Sequence, residues 1–445
     1  MGLSQYLIGE RTKIPMNLKP IDGNISQVPV MGISEWMCYY ANYDIDIPDD
    51  EIKVIDECID VHLAAGMDQM VWNCGRSVVS YWSDLPNVTR MCEQNDLVGG
   101  KSWAFAATVM RKVCPLRRAI EYCRERDISV LGRLGMNRHY GSADYAGVTS
   151  RFVLDNPQFL ELSKLGNRVS HRVCYAIEEV QQERIDILLE IQRIGVDGLV
   201  LDFCRQMPMM MYHDALVKPY MKKRGTDPKT IDSDDPNDYM DWFQYRSDVL
   251  TGFMNRLRAE VREQEEKLER PCPIIARIPD NAPWLMIAYG LDIERWYRED
   301  LVDGSMLSPF PVCVEDKERY PEYHISVAHK YGKICIGGIG SLNLIKNGVH
   351  ENTGFFHRKP VYQMAHRQYR ANADAMSLYQ SETLARMGYL KETLKEIGIR
   401  ELVAHRTEEL PEPDIPADYP IGLDWHSRVK GGHSLSTEIA GDGAL

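Results

Sequence analysis

Hydrophobic and polar positions along the chain alternate between two periods. Short apolar runs lie at 28–35 (VPVMGISE), 68–73 (DQMVWN), 128–134 (ISVLGRL), 198–203 (GLVLDF), 273–278 (PIIARI), 302–307 (VDGSML), 333–338 (KICIGG) and 374–379 (DAMSLY). Their length and composition predict buried strands. Between them apolar residues recur every three to four positions. Ile52, Ile55, Ile59 and Leu63 form one stripe that stops at Gly66, and Val180, Ile187, Leu188 and Ile191 form another, closed by Gly195. Leu384, Met387, Leu390 and Leu394 mark a third, closed by Gly398. These are amphipathic helices ending where a left-handed cap is wanted. The longest helical stretch, 239–268, is rich in Arg and Glu, which predicts a solvated outer face.

Eight strand–helix units in one chain predict an α/β protein, a (β/α)8 TIM barrel over 28–400. A doubly wound open sheet shares the alternation, but no GxGxxG or GxxxxGK[ST] follows any of the strands. Residues 1–27 read as an N-terminal extension. Residues 401–445, containing PEPDIPADYP and GGHSLSTEIAGDGAL, read as an irregular tail.

Composition narrows the function classes. With 445 residues, 44% hydrophobic and 26% charged, the chain has the make-up of a globular protein with a large core. A net charge of −13 argues against nucleic acid as a partner, because phosphates call for a basic surface. The eleven cysteines include no CxxC pair and no Cys/His cluster at zinc spacing, so no metal and no other cofactor is expected. Their odd number and apolar settings predict reduced thiols in a reducing compartment. No apolar run reaches eighteen residues and the N-terminus carries no leader-like run, which predicts a cytoplasmic chain without a membrane span. A chain cut after a leader would read the same way and would be secreted or periplasmic. Whether identical copies associate is left open.

The barrel directs attention to the strand C-termini, where chemistry in this fold lies. In GVDGLVLDFCR, 195–205, the apolar run Leu199-Val200-Leu201 stops at Asp202, with Arg205 just beyond. The other strand ends carry Glu35, then Trp72 and Asn73, then Arg133 followed by Asn137, Arg138 and His139. Further on come His213 in the loop after the fourth strand, Arg277 and Asp280, His357 and Arg358, and finally Tyr379 and Glu382. Asp280 also suits a helix N-cap and Glu382 the first turn of a helix. Acids, guanidiniums, imidazoles and aromatic rings converging on one end suit a carbohydrate: rings offer flat apolar faces, and the polar groups bond hydroxyls. Two carboxyls in different environments would supply acid and nucleophile or base for a glycosidic bond. Arg205 beside Asp202 would favour its ionised form, which casts Asp202 as nucleophile or base. Its proton-donating partner is Glu382 first, then Asp280 or Glu35.

GVDGLVLDFCRQMP resembles the fourth-strand segment of glycoside-hydrolase-like barrel proteins of the family-10-like group, through Asp197, Gly198, Asp202, Phe203, Arg205 and Pro208. IIARIPDNAPWLMIAYGLDIERWYREDLVD, 274–303, and NADAMSLYQSE, 372–382, are similar to later segments of the same group. The resemblance implies a glycosidase-related TIM barrel with Asp202 as the catalytic candidate. The sixth and seventh strands, however, lack the acids that other barrel glycosidases place there, so the partner of Asp202 is not fixed by it. The expectation is a hydrolase of glycosidic bonds with a carbohydrate as its partner. The cations Arg133, Arg138, His139, Arg205, His213, Arg277, His357 and Arg358 suggest an anionic glycan, uronate-containing or sulfated. Two other classes remain: a metal-dependent barrel hydrolase or isomerase using Asp202, His213 and Glu382 as ligands, and a non-catalytic glycan-binding barrel.

Overall fold

A computed structural model describes residue 20 and residues 26–37, 50–93, 101–136, 149–204, 207–233, 235–308, 319–339, 345–346, 349–350, 358–379, 381–382 and 388–411. Eight parallel strands close into a barrel: β1 (Val30–Ser34), β2 (Gln69–Gly75), β3 (Ser129–Gly135), β4 (Gly198–Asp202), β5 (Ile274–Pro279), β6 (Gly304–Ser308), β7 (Ile334–Ile339) and β8 (Ala375–Tyr379). Each strand pairs with its neighbours in sequence, and β8 returns to β1 through Val30–Met376 to Ile33–Tyr379. All eight strands match the runs expected from the sequence to within a residue or two. A helix follows each strand: α1 (Glu51–Ala64), α2 (Pro115–Arg124), α3 (Glu178–Ile194), α4 (Pro236–Leu268), α5 (Ile293–Arg298), α6 (Pro321–Lys330), α7 (Arg358–Arg370) and α8 (Gly388–Ile397). This is the (β/α)8 barrel. No helix among the described residues is long and apolar enough to cross a membrane.

Strand periodicity sorts the side chains into two cores. Met31, Ile33, Val71, Leu131, Val200, Ile275, Met306, Ile334, Ile336, Ala375 and Tyr379 fill the barrel interior. Alternate residues, among them Met70, Trp72, Val130, Leu199, Leu201 and Leu378, pack instead with the helices. That two-residue period decides which strand-end residues reach the mouth. Helix ends follow local chemistry: Asp50 caps α1 by accepting from the Ile52 amide, and Gly195 closes α3 at φ +121°, a conformation that favours glycine.

Past residue 400 the sequence suggested an irregular tail, yet Arg400–Glu409 is a helix. Its Leu402 and Val403 are buried, and it seats beside α7 and α8. Its N-terminus is tied to the start of the barrel by the Arg400 amide on the Ser26 carbonyl and an antiparallel bridge between Gln27 and Ile399. Short apolar spacing inside a charged segment hid it. The nine cysteines among the described residues are unbridged, eight of them buried.

The N-terminal face of the barrel carries one device four times. Asp68, Asp197, Asp303 and Asp374 each stand just before an even-numbered strand. Each accepts, at 2.7–3.0 Å, the amide at or near the start of the preceding odd strand: Val30, Val130, Ile274 and Cys335. The backbone amide of each Asp donates back to the carbonyl of that same residue. The reciprocal pairs satisfy backbone groups that the ladder leaves open at its bottom edge. Two are reinforced, Asp303 by a two-pronged Arg258 and Asp374 by His329. Replacing Asp197 by Ala should lower unfolding free energy by about 1–3 kcal/mol, the cost of orphaning a buried donor. Denaturant melts check this; an unchanged midpoint would mean that water replaces the carboxylate without loss.

Candidate active site

Two residues above the apolar layer, the same inward positions turn polar. Ile33 is followed by Glu35, Val71 by Asn73, Leu131 by Arg133, Val200 by Asp202, Ile275 by Arg277 and Met306 by Ser308, and Tyr379 ends β8. All seven are buried, at 5% exposure or less. They form one network. Arg133 donates through Nη1 to Asp202 Oδ2 at 2.5 Å and through Nη2 to Glu35 Oε1, so one guanidinium bridges two carboxylates. Arg277 Nη1 donates to the other oxygen of Asp202 at 2.9 Å, where the Cys204 amide also donates at 3.1 Å. Arg277 Nη2 donates to Ser308 Oγ at 2.6 Å. Glu35 further accepts from Asn73 Nδ2 at 2.6 Å, Tyr379 OH at 3.2 Å and Arg76 Nη2 at 3.3 Å. The Tyr379 ring lies against both bridging cations, 4.6 Å from Arg277 Cζ and 5.7 Å from Arg133 Cζ.

Glu382, just past β8, completes the group. One oxygen accepts the Glu35 amide at 3.1 Å. The other, Oε1, is buried and has no hydrogen-bond partner among the described residues.

The two acids are driven in opposite directions. Burial opposes ionisation of Asp202, but Arg277, Arg133 and the Cys204 amide outweigh it and hold its carboxyl well below the usual range. Burial likewise pushes Glu382 up, and here nothing outweighs it. Hydrogen bonding from the Glu382 and Glu35 amides and the charge of Arg133 oppose burial without overcoming it, the negative charge of Glu35 adds to it, and the carboxyl is pushed up to about 8. At neutral pH the site therefore holds Asp202 as an anion and Glu382 as an acid.

The guanidiniums that ionise Asp202 are Arg133 and Arg277. Arg205, to which the sequence assigned that task, lies outside the described residues, as do Asn137, Arg138, His139 and His357. The structure brings Glu35, Asn73, Arg133, Asp202, Arg277, Tyr379 and Glu382 together. Other expected mouth residues lie elsewhere. Trp72 faces the helices, one residue out of phase with the inward set, and stacks on Trp36 with centroids 6.2 Å apart. His213 caps the helix Asp214–Arg224 through Nδ1, and its Nε2 meets the Gln158 carbonyl. Arg358 opens α7 and bonds Thr393 and Tyr362 in the helix layer. Asp280 follows β5 but is taken up by Arg319, whose Nε and Nη2 both reach Oδ2, at 2.9 and 2.6 Å. Nor does Asp280 cap the next helix, where Ala282 holds that position without a side-chain bond. With His213 engaged in its cap, Asp202, His213 and Glu382 do not form a ligand set. Among the described residues, no group of three or more His, Cys, Asp or Glu is placed to hold a metal.

No family model matches the chain, and no curated protein matches it. Solved structures do. The catalytic domain of a β-amylase from Paenibacillus polymyxa superposes with a TM-score of 0.50 at 10% identity, over 86% of this chain and 99% of that one. A maltogenic α-amylase, AmyB, from Thermotoga neapolitana gives 0.42 at 11% identity over 85% and 76%. A trehalose-6-phosphate hydrolase from Bacillus licheniformis gives 0.42 at 11% over 86% and 74%. The last two scores are too low to carry weight. The chain has the TIM-barrel fold, which it shares with that β-amylase domain. The family-10-like resemblance gains no matching family model.

The opposed acids make a thermodynamic prediction. Glu382 titrates near its ordinary 4.5 when unfolded and near 8 when folded, so across that window the native state binds more protons than the unfolded one. Stability from this group is full below about 4.5, falls as pH rises and levels off above about 8. Glu382→Gln cannot ionise. The stability of the native protein relative to that variant should therefore fall by about 1.4 kcal/mol per pH unit within the window. Denaturant midpoints across the range check this; parallel curves would mean that Glu382 is ionised in the fold.

Proposed function

We propose that this chain hydrolyses a glycosidic bond, with Glu382 as the proton donor and Asp202 as the ionised carboxylate that accompanies it. The observation carrying this reading is the coexistence, in one buried network, of a carboxyl with an unengaged oxygen and a carboxylate gripped by two guanidiniums. Glycosidic cleavage needs that division: the acid protonates the leaving oxygen, and the anion supports the positive charge developing on the sugar ring. Because Asp202 spends both oxygens on Arg133, Arg277 and the Cys204 amide, it is a weak base and is better suited to stabilising charge. Nucleophilic attack by Asp202 would require one of those bonds to open. Glu35, paired with Arg133 and Arg76, is the third carboxyl of the group. The fold shared with a structure named as a β-amylase catalytic domain, and the family-10-like pattern around Asp202, fit the same reading.

An anionic glycan has less support than a neutral one. Arg133 and Arg277 are engaged by the site's own carboxylates, and His213 and Arg358 lie away from it. One observation favours a second reading, a barrel that binds glycan without turnover: the acceptors of Asp202 are already taken.

The test is a mass-spectrometric screen of neutral, uronate-containing and sulfated oligosaccharides with the native protein and Glu382→Gln. That variant replaces one neutral group by another of similar shape, whereas Asp202→Asn also leaves two buried guanidiniums undercompensated. Cleavage should fall by about 10²–10⁴-fold in Glu382→Gln, the contribution of a positioned acid. In the native protein, kcat/KM should decline above pH of about 8 as Glu382 ionises. Equal cleavage by both proteins would remove Glu382 from the chemistry, and binding without cleavage would establish the second reading.

A further inference from the structure

Behind Glu382, on the outer face of β1, sits a buried imidazole that the proposed chemistry does not use. His62 lies in the last turn of α1 and is fully buried. Its Nδ1 is 2.5 Å from the Cys58 carbonyl oxygen, and its Nε2 is 2.7 Å from Ser381 Oγ. A carbonyl can only accept, so Nδ1 carries the proton. Nε2 of the neutral ring is then an acceptor, and the Ser381 hydroxyl must donate to it. Burial keeps the ring neutral by lowering its pKa to about 4. The tautomer therefore follows from geometry.

Gly32 supplies the space. A Cβ there would lie 2.6 Å from His62 Cδ2, 2.8 Å from Met67 Sδ and 3.0 Å from Ser381 Oγ. The strand has no side chain where the imidazole and the hydroxyl meet. Ser381 immediately precedes Glu382, whose Oε2 accepts the Glu35 amide. The charged groups acting on Glu382 are Glu35 from the end of β1 and Arg133 from β3, while His62 approaches from α1.

We propose that His62, as the Nδ1–H tautomer, is a positioning residue for Glu382: by accepting the Ser381 hydroxyl it fixes the backbone that holds Glu382 beneath the Glu35 amide with Oε1 unengaged. The inference deepens the reading of Glu382 as the proton donor and rests on it. Losing the acceptor frees Ser381 to rotate and the following residue to shift. Glu382 then reaches other donors or water and ionises more readily.

The experiment reads Glu382 directly, without substrate. The infrared carbonyl band of its protonated acid, assigned by its absence in Glu382→Gln, is titrated in the native protein, His62→Phe, Ser381→Ala and His62→Gln. Near-ultraviolet circular dichroism identifies the folded variants. The native band should disappear around pH 8. In His62→Phe and Ser381→Ala the midpoint should fall by about one pH unit or more, and His62→Gln, whose amide oxygen can still accept, should recover part of the shift. A native band with the same midpoint in a folded His62→Phe or Ser381→Ala would overturn the positioning role while leaving Glu382 as the acid. No native band at neutral pH would overturn both. A shifted midpoint in a protein that cleaves no glycan would uphold the positioning role and sink the glycosidase reading.

Discussion

Arg133 holds two carboxylates with one guanidinium, and the rest of the barrel mouth depends on that bridge. A charge buried inside the barrel costs several kcal/mol unless it is paired and hydrogen-bonded. Arg133 pairs with both Glu35 and Asp202, and Arg277 completes the grip on Asp202. Burial makes a further charge beside this pair expensive, the Glu35 carboxylate adds to the cost, and Glu382 stays protonated. The acid and the anion are thus two results of one arrangement.

The two ends of the barrel divide the work. At the N-terminal end, four aspartates close backbone hydrogen bonds in reciprocal pairs, each between an odd strand and the residue before the next even strand. Those carboxylates are consumed by structure. At the C-terminal end the inward positions carry charge that one strand alone could not hold: Arg133 from β3 needs Asp202 from β4 and Glu35 from β1. Closure of the sheet, through the β8–β1 pairing, is what brings Tyr379 and Glu382 to Glu35.

Much of this could be read from the chain before its structure, and the reasons for the failures are specific. The eight strands are short apolar runs separated by helical stripes, so period and length were enough. Arg133 and Arg277 were recognisable as mouth residues because each stands two positions after an inward apolar residue, Leu131 and Ile275. The same rule applied strictly would have excluded Trp72, which is one residue out of phase with Val71 and faces the helices. His213 and Arg358 lie in or beside helix starts, where strand parity says nothing about direction, and both were claimed by local bonds. Pairing choices were invisible as well: that Asp202 would be gripped by Arg133 and Arg277 depends on the register of β3, β4 and β5. His62 was hidden for the opposite reason, since a histidine next to the apolar stripe of α1 looks like ordinary core.

The central claim is that two carboxyls in one network hold opposite protonation states at neutral pH. Neutron diffraction from deuterium-exchanged crystals at that pH would see it directly. The account predicts a deuteron on Glu382, none on Asp202, and fully deuterated guanidiniums on Arg133 and Arg277. A bare Glu382 carboxylate, or a deuteron on Asp202, would contradict it.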